Sequence, residues 1–334
     1  MLEMTGHKKW IGIDGGGTKT SCVIGDEKGN LLAFAIGTSS NIHSIPAKEV
    51  LNTLEKVINQ VLKESRSSIG EVEAIYLCLA GADRERDKSI IKSLFENTVY
   101  EHKIIIKNDA DAALAAGTWG ESGLLLIAGT GSIAYGVTSD FSKNIRVGGW
   151  GYLFGDEGSG FFIGKKAVQS VLKSYDTREP KTLLTDLILE HFHFTDATQL
   201  LSLYGTEHFV AKIAELSKYV FQAAKKQDAA AKEIMEVAIE ELVFMAETVY
   251  KKIDNNINPL LVLHGGLFSN NDFKNSFKLK LRTVLNEDLK IISPDIPAVV
   301  GAYLLALKTS GCLIDNEIKK KVLVTWEEIN KIKE

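Results

Sequence analysis

Only five prolines and three cysteines occur in 334 residues, and no apolar run is long enough to cross a bilayer. The cysteines, Cys22, Cys78 and Cys312, are far apart, and two of them sit in apolar, strand-like runs. This offers no disulfide framework, no C-x-x-C pair and no zinc spacing, and fits a reducing compartment. The longest apolar run, "GLLLIAG" at 123–129, falls far short of the roughly 20 residues a membrane helix needs. The opening "MLEMTGHKKW" has no apolar signal-peptide core. A cytoplasmic protein without a membrane partner is expected. Net charge is −4 and the Lys and Arg residues are scattered, so no basic footprint points to nucleic acid. With so few prolines and no Ser/Gly-rich stretch, any domain boundary is a hinge rather than a tether. The histidines do not cluster. His191 and His193 would share a face only in a strand, and a helix is expected there, so they do not suggest a metal site.

What remains is an ordinary soluble composition, 45% hydrophobic and 25% charged, with length for two domains. The chain opens on strands at 9–14, 20–26 and 30–37, separated by the turn signals "GGGTK" and "DEKGN". A helix is expected over 46–65, where Val50, Leu54, Val57, Ile58, Val61 and Leu62 recur at helical spacing. Strands at 71–81 and 102–109 flank the amphipathic "RERDKSIIKSLFEN". Strand-helix-strand units imply a parallel sheet beside the opening hairpins.

The second half then begins again. "GLLLIAGTGSIAYGVTSDFSKNIRVGGWG" (123–151) repeats the strand, Gly/Thr turn, strand, polar turn, strand layout of residues 10–37. A helical block over 156–254 follows, then the strand motif "PLLVLHGGLFSN" (259–270). "SPDIPAVVGAYLLAL" (293–307) reads as an apolar helix with Pro297 in its first turn. The expected fold is an α/β duplication of a β-β-β-α-β-α-β domain. Residues 1–115 form the first copy and 116–307 the second, with a lysine-rich C-terminal helix (308–334) packing back on the first.

The glycines of "GIDGGGTKT" fit neither the dinucleotide fingerprint, which needs a third Gly opening a helix, nor the P-loop, whose Lys-[ST] order is reversed here as Thr18-Lys19. They sit between two antiparallel strands. Either Gly15–Gly17 form a plain hairpin turn, or the turn presents backbone N–H groups to phosphate. Two such Gly-Thr hairpins, one per domain, can hold a phosphate chain in a cleft between the domains. Gly16, Gly17 and Thr18 stand in the first turn, and Gly129, Thr130, Gly131 and Ser132 in the second. Asp14 is a candidate carboxylate for Mg²⁺, or a turn-forming Asp. Lys19 neutralises phosphate or is simply solvated.

Asp109 in "IKNDADAALAAG" ends a strand and starts a helix. Phosphoryl transfer to an alcohol needs a carboxylate there to accept the hydroxyl proton, although Asn108, Asp109 or Asp111 could each be only the helix cap. In "GGWGYLFGDEGSGFFIG", Trp150 offers a face on which a sugar can stack, and Asp156 and Glu157 offer acceptors for hydroxyls. The alternative makes Trp150 core and Asp156 or Ser159 a cap. Asn41 or Ser40 of "GTSSNIHS" could contact substrate, or form a polar loop. Gly265 and Gly266 remove bulk beside a nucleoside, or end a strand.

Taken in order and spacing, "GIDGGGTKT", "NDADAA", "AGTGS", "GGWGYLFGDEGSG", "HGGLFS" and "PAVVGAYLLA" resemble the N-acetylglucosamine kinase branch of the actin/hexokinase superfamily, grouped with the BadF/BadG/BcrA/BcrD ATPases. The resemblance implies two actin-like (ribonuclease H-like) domains around an ATP/sugar cleft whose closure excludes water. It implies ATP and Mg²⁺ as cofactors and a homodimer. The expected activity is phosphorylation of the 6-hydroxyl of N-acetylglucosamine, with N-acetylmuramic acid as a further acceptor. Alternatives are glucosamine as acceptor, or an ATPase that activates a partner protein. By position, Asp109 matches the catalytic base. Asn41, Trp150, Gly151, Asp156, Gly129 and Thr130 match sugar contacts, Thr18, Gly131 and Ser132 phosphate contacts, and Gly265-Gly266 the adenosine motif. The zinc cysteines of the related ROK sugar kinases and the cluster-binding cysteines of the activator ATPases are not evident.

Overall fold

The structure, a computed structural model, describes residues 8–139, 141, 143–253, 260–285 and 289–331. The chain's opening through His7, Pro259 of the second strand motif and the last three residues lie outside the described residues. The chain divides into two compact units, Met1–Glu121 with Pro294–Glu334, and Ser122–Ser293.

In the first unit, strands β1 (Lys9–Gly15), β2 (Thr20–Asp26) and β3 (Leu31–Gly37) form antiparallel hairpins. After helix α1 (Ala47–Glu64), β4 (Val72–Leu79) pairs parallel to β1. After α2 (Glu85–Leu94), β5 (Ile104–Asn108) pairs parallel to β4 and runs straight into α3 (Asp109–Thr118). The sheet order is β3-β2-β1-β4-β5. The alternation of side chains along a strand sorts β1 and β2 between two cores. Ile11, Ile13, Cys22 and Ile24 pack with α1, whereas Trp10 and Val23 face the opposite side.

The second unit repeats this plan. Its strands are β6 (Gly123–Ala128), β7 (Ser132–Val137) and β8 (Asn144–Gly148). Helices α4 (Gly160–Tyr175), α5 (Leu183–Phe192), α6 (Phe209–Glu215), α7 (Ser217–Lys225) and α8 (Ala229–Lys252) precede β9 (Leu260–His264), α9 (Asn271–Val284) and β10 (Lys290–Ile292). The order β8-β7-β6-β9-β10 has the same antiparallel and parallel pairings, strand for strand, as the first sheet. The expected helical block is thus five helices.

The helix α10 (Ala298–Thr309), expected in the second domain, packs instead on β1 and α3 of the first unit. Its approach depends on missing Cβ atoms. A Cβ on Gly12 would lie 2.2 Å from Tyr303 N, and one on Gly301 would lie 2.0 Å from Ala112 O. Polar contacts fix the register: the Trp10 indole donates to Ser310 Oγ (2.7 Å) and the Tyr303 hydroxyl to Asp26 O (2.6 Å). Pro297 is the residue before this helix rather than part of its first turn. Helix α11 (Asn316–Lys331) covers β3, with Trp326 edge-on to Phe34.

These contacts make Gly301→Ala an overpacking change against backbone, which costs on the order of 1–3 kcal/mol. At roughly 2–4 °C per kcal/mol for a unit of this size, calorimetry should show the first unit's transition lowered by about 2–12 °C. An unchanged transition would mean that α10 does not lie on α3 at this distance.

Candidate active site

Two antiparallel steps make β3 run with β1, so β1, β3, β4 and β5 all point the same way. Their carboxyl ends form one edge, the place where α/β sheets bind ligands. Asp14, the glycine turn, the loop holding Asn41 and Asp109 all stand there. Gly15 is a packing glycine, since a Cβ would meet Ser40 Oγ at 2.1 Å. Gly16 and Gly17 differ. Neither has a left-handed backbone, and a Cβ on Gly16 would meet nothing nearer than 3.8 Å, one on Gly17 nothing within 4 Å. An ordinary hairpin would need glycine for backbone geometry or for packing. Here neither applies, and the turn leaves open space above its backbone. Thr18 and Lys19 are exposed on it.

Ser40 is fully buried, accepting from Thr20 Oγ1 (2.8 Å) while its N–H donates to Gly16 O (3.3 Å). It therefore clamps the loop, and of the two loop candidates Asn41 is the less engaged. The Asn41 side-chain oxygen accepts the His43 N–H (2.9 Å), and its amide nitrogen has no partner among the described residues. Gly81, at φ +85°, lets this loop close over the end of β4, where a Cβ would lie 2.7 Å from the His43 ring.

The N-cap of α3 is Asn108 and not Asp109, whose Oδ1 shares the Ala110 N–H (3.0 Å). Asn108 is the N-cap, accepting from Ala110 N (2.9 Å), and Asp111 completes the box by accepting from Asn108 N (3.1 Å). Burial raises the Asp109 pKa above its ordinary value, the Ala110 N–H opposes this, and the charges of Asp83 and Asp111 add to the rise. Burial, then the charge of Asp109, pushes Asp14 up to about 6, with Lys19 pulling the other way. The two carboxylates therefore feel one another at a poorly solvated edge, and each favours a cation or a proton. Among the described residues no three His, Cys, Asp or Glu side chains form a metal cage. The Asp14 environment suits Mg²⁺, which takes one or two carboxylates and fills its shell with water and phosphate oxygens.

In the second unit the turn between β6 and β7 is held from behind. The first N–H groups of α4 donate to it, Gly160 N to Gly129 O (2.7 Å) and Phe161 N to Thr130 O (3.2 Å). Ser159 is the cap of α4. Asp156, in the left-handed region at φ +57°, instead takes the backbone N–H groups of Gly151 and Ser132. Burial nevertheless raises its pKa, Glu157 adds to the rise, and Arg146 opposes it. A Cβ on Gly131 would lie 2.7 Å from Asp156 Oδ2, and the buried Ser132 hydroxyl donates to Glu157 O (2.7 Å). Gly131 and Ser132 are thus held against the Asp156–Glu157 segment, and Gly129 and Thr130 by the start of α4. Trp150 is 64% exposed and not core.

Gly129, Thr130 and Gly266 line a cleft of about 730 Å³ with Phe221, Asn270 and the break between α6 and α7. The break supplies Glu215, Ser217 and Lys218. Lys218 pairs with Glu215 and lowers its pKa, with His191 Nε2 3.7 Å from the same carboxylate. A Cβ on Gly266 would meet nothing within 4 Å, whereas Gly265, at φ +100°, is a glycine because a Cβ would strike Ala128 O at 2.4 Å. Gly266 is thus the open member of the pair. The volume lies within the range of small-molecule pockets, and its wall combines apolar surface with an anion, a cation and an amide. Sequence reasoning missed Glu215, Lys218, Asn270, Gly81 and Asp83. No short motif marks them, because a helix break and a loop crossing bring them in.

A model of the BadF/BadG/BcrA/BcrD ATPase family matches residues 11–306. The N-acetylmuramic acid/N-acetylglucosamine kinase of Clostridium acetobutylicum is 36% identical over 89% of this chain and 97% of the relative. The N-acetyl-D-glucosamine kinase of Dictyostelium discoideum is 34% identical over 90% of this chain and 98% of the relative. A crystal structure of a proposed N-acetylglucosamine kinase from Chromobacterium violaceum, 23% identical, superposes with a TM-score of 0.72 over 90% of this chain and 99% of that one, and so shares the fold. The match of the family model over residues 11–306 places this chain in the BadF/BadG/BcrA/BcrD ATPase family.

Proposed function

We propose that this chain, an ATP-dependent sugar kinase, transfers the γ-phosphoryl group of Mg²⁺-ATP to the 6-hydroxyl of an N-acetylated amino sugar. N-acetylglucosamine is the foremost acceptor and N-acetylmuramic acid a further one. The observation that carries this reading is the Asp14–Asp109 pair, two carboxylates of raised pKa beside a glycine turn with open space above it. The names of the Clostridium and Dictyostelium relatives support the acceptor class.

Asp109, relieved of cap duty, accepts the proton of the sugar hydroxyl as its oxygen bonds to the γ-phosphorus. The bond to the bridging oxygen breaks and ADP leaves with that electron pair. Asp14 would hold Mg²⁺, which would supply positive charge against the phosphate oxygens. Gly16, Gly17 and Thr18 line the phosphates, with Lys19 as a nearby cation. The second unit's cleft takes the nucleoside against Gly266, with Glu215 and Lys218 on its wall. Asn41, Trp150, Gly151 and Asp156 recognise the sugar.

The direct test is ADP release with N-acetylglucosamine, N-acetylmuramic acid, glucosamine, N-acetylmannosamine and glucose, each against a no-sugar control. Stimulation by N-acetylated sugars is expected. Equal release with and without every sugar would remove the amino-sugar reading and favour a partner-activating ATPase. Stimulation by glucosamine alone would change the acceptor.

Asp109→Asn removes a general base, an effect of about 10²–10⁴-fold on kcat, and should leave nucleotide affinity unchanged. A variant retaining a tenth of wild-type kcat would exclude this role.

Asp14→Asn should raise the Tm of the metal-free protein at pH 8. The folded pKa, about 6, lies above the ordinary carboxyl value of 3.8. Folding therefore disfavours the charge, a cost present above about pH 6 and lost as pH falls through that value towards 3.8. The Tm gain should shrink at pH 5 and below. A gain independent of pH would contradict the assigned burial.

A further inference from the structure

The loop carrying Trp150 is built from residues that do not hold a shape by themselves. Gly148, Gly149 and Gly151 stand at φ +74°, +69° and +86°, a region open to glycine at little cost but not fixed by it. Trp150 is exposed, and no ring packs on it among the described residues. One side chain of the preceding strand touches each part of this loop. Arg146, on β8 opposite Tyr135, donates from Nε to Gly148 O (3.2 Å) and from Nη2 to Gly149 O. Its guanidinium carbon lies 5.0 Å from the centre of the Trp150 ring. Farther along, Gly155 folds back so closely that a Cβ there would lie 2.9 Å from Trp150 Cβ, and its N–H donates to Gly151 O (2.9 Å). The indole is thus held at its root by the turn and across one face by a cation.

We propose that Arg146 is the positioning residue of this loop: it clasps the two glycine carbonyls, covers one face of Trp150, and so holds the other face ready to stack on the acetamido sugar. The inference rests on the amino-sugar reading above. The guanidinium is suited to this by shape. It is planar, with several N–H donors fixed in one fork, so it can bond two carbonyls and lie over a ring at once. A lysine supplies only a point charge. The role is specific to the sugar, because Arg146 is not among the residues lining the cleft of Gly129 and Gly266. Its charge also stabilises the ionised form of Asp156 against burial and the neighbouring Glu157.

The test uses the full chain with Arg146→Met, Arg146→Lys, Trp150→Phe and the Arg146→Met/Trp150→Phe double variant. Steady-state KM is measured separately for N-acetylglucosamine and ATP, with Tm and acrylamide quenching of tryptophan fluorescence alongside. Arg146→Met should raise the sugar KM roughly tenfold, the scale of one lost cation–π contact with its anchoring bonds, leaving the ATP KM within about twofold and Tm within about 2 °C. Arg146→Lys should recover only part of this. In the Trp150→Phe background the Arg146→Met change should add little, because the two residues act as one unit. Equal rises in both KM values with a falling Tm, or penalties that multiply, would overturn the proposal. If the wild type shows no sugar-dependent ADP release, the amino-sugar reading has failed, and quenching decides on the clasp. Acrylamide access that rises in Arg146→Met but not in the double variant supports it, and unchanged access overturns it.

Discussion

The ionised carboxylate of Asp14 at the end of β1 is the constraint around which the first unit is arranged. Burial and the neighbouring Asp109 charge raise its pKa from 3.8 to about 6, which at about 1.4 kcal/mol per unit is a cost on the order of 3 kcal/mol at neutral pH. A strand can carry that cost only where its own placement is secure. β1 is the middle strand, antiparallel to β2 on one side and parallel to β4 on the other, with apolar cores on both faces. The close seat of α10 over Gly12 belongs to the same arrangement. A side chain at that position would lift the helix off the strand that holds the carboxylate.

Glycine serves two opposite purposes in these turns. At Gly12, Gly15, Gly131 and Gly265 a Cβ would collide with the protein itself. At Gly16, Gly17 and Gly266 it would meet almost nothing, and Gly129 has only a backbone nitrogen at 4.0 Å. The first group is explained by folding alone. The second is not, and these positions are where a ligand can approach the backbone. In a string such as "GIDGGGTKT" the two kinds look identical, because what distinguishes them is the distance to residues far away in the chain.

The same contrast sets what was legible in the sequence. The strands and the first helix follow from local alternation and helical spacing, so 20–26 and 46–65 fall within a residue or so of β2 and α1. The duplication was visible because each copy repeats a Gly/Thr turn between apolar strands, and the two sheet orders match. The placement of α10 was not, since an apolar helix shows which face is buried but not against what. The glycines that admit it, Gly12 in β1, Gly25 in β2 (a Cβ there would lie 2.7 Å from the Tyr303 ring) and Gly301 in α10 itself, lie in three different elements. Ser40 and Asn41 are adjacent polar residues in one loop, and only burial tells the clamp from the free side chain. Asp109 was separable from Asn108 and Asp111 only when the capping bonds were seen. Arg146 looked like one of many scattered cations, because its partners are carbonyls and a ring rather than a motif.

The two copies have also diverged in charge. The first hairpin carries Asp14 and Lys19, and its unit adds Asp109. The second, from Leu126 to Ser132, has no charged residue at all. Carboxylates are useful where a cation or a hydroxyl proton must be held and harmful where bare phosphate oxygens must sit, since like charges at short range repel. Asp156, beside the second turn, has its charge directed onto the N–H groups of Gly151 and Ser132, and Glu215, on the cleft wall with Gly129 and Thr130, is paired with Lys218. A duplicated fold can thus change the charge of one turn, and with it the ions that turn favours, without any change in strand order.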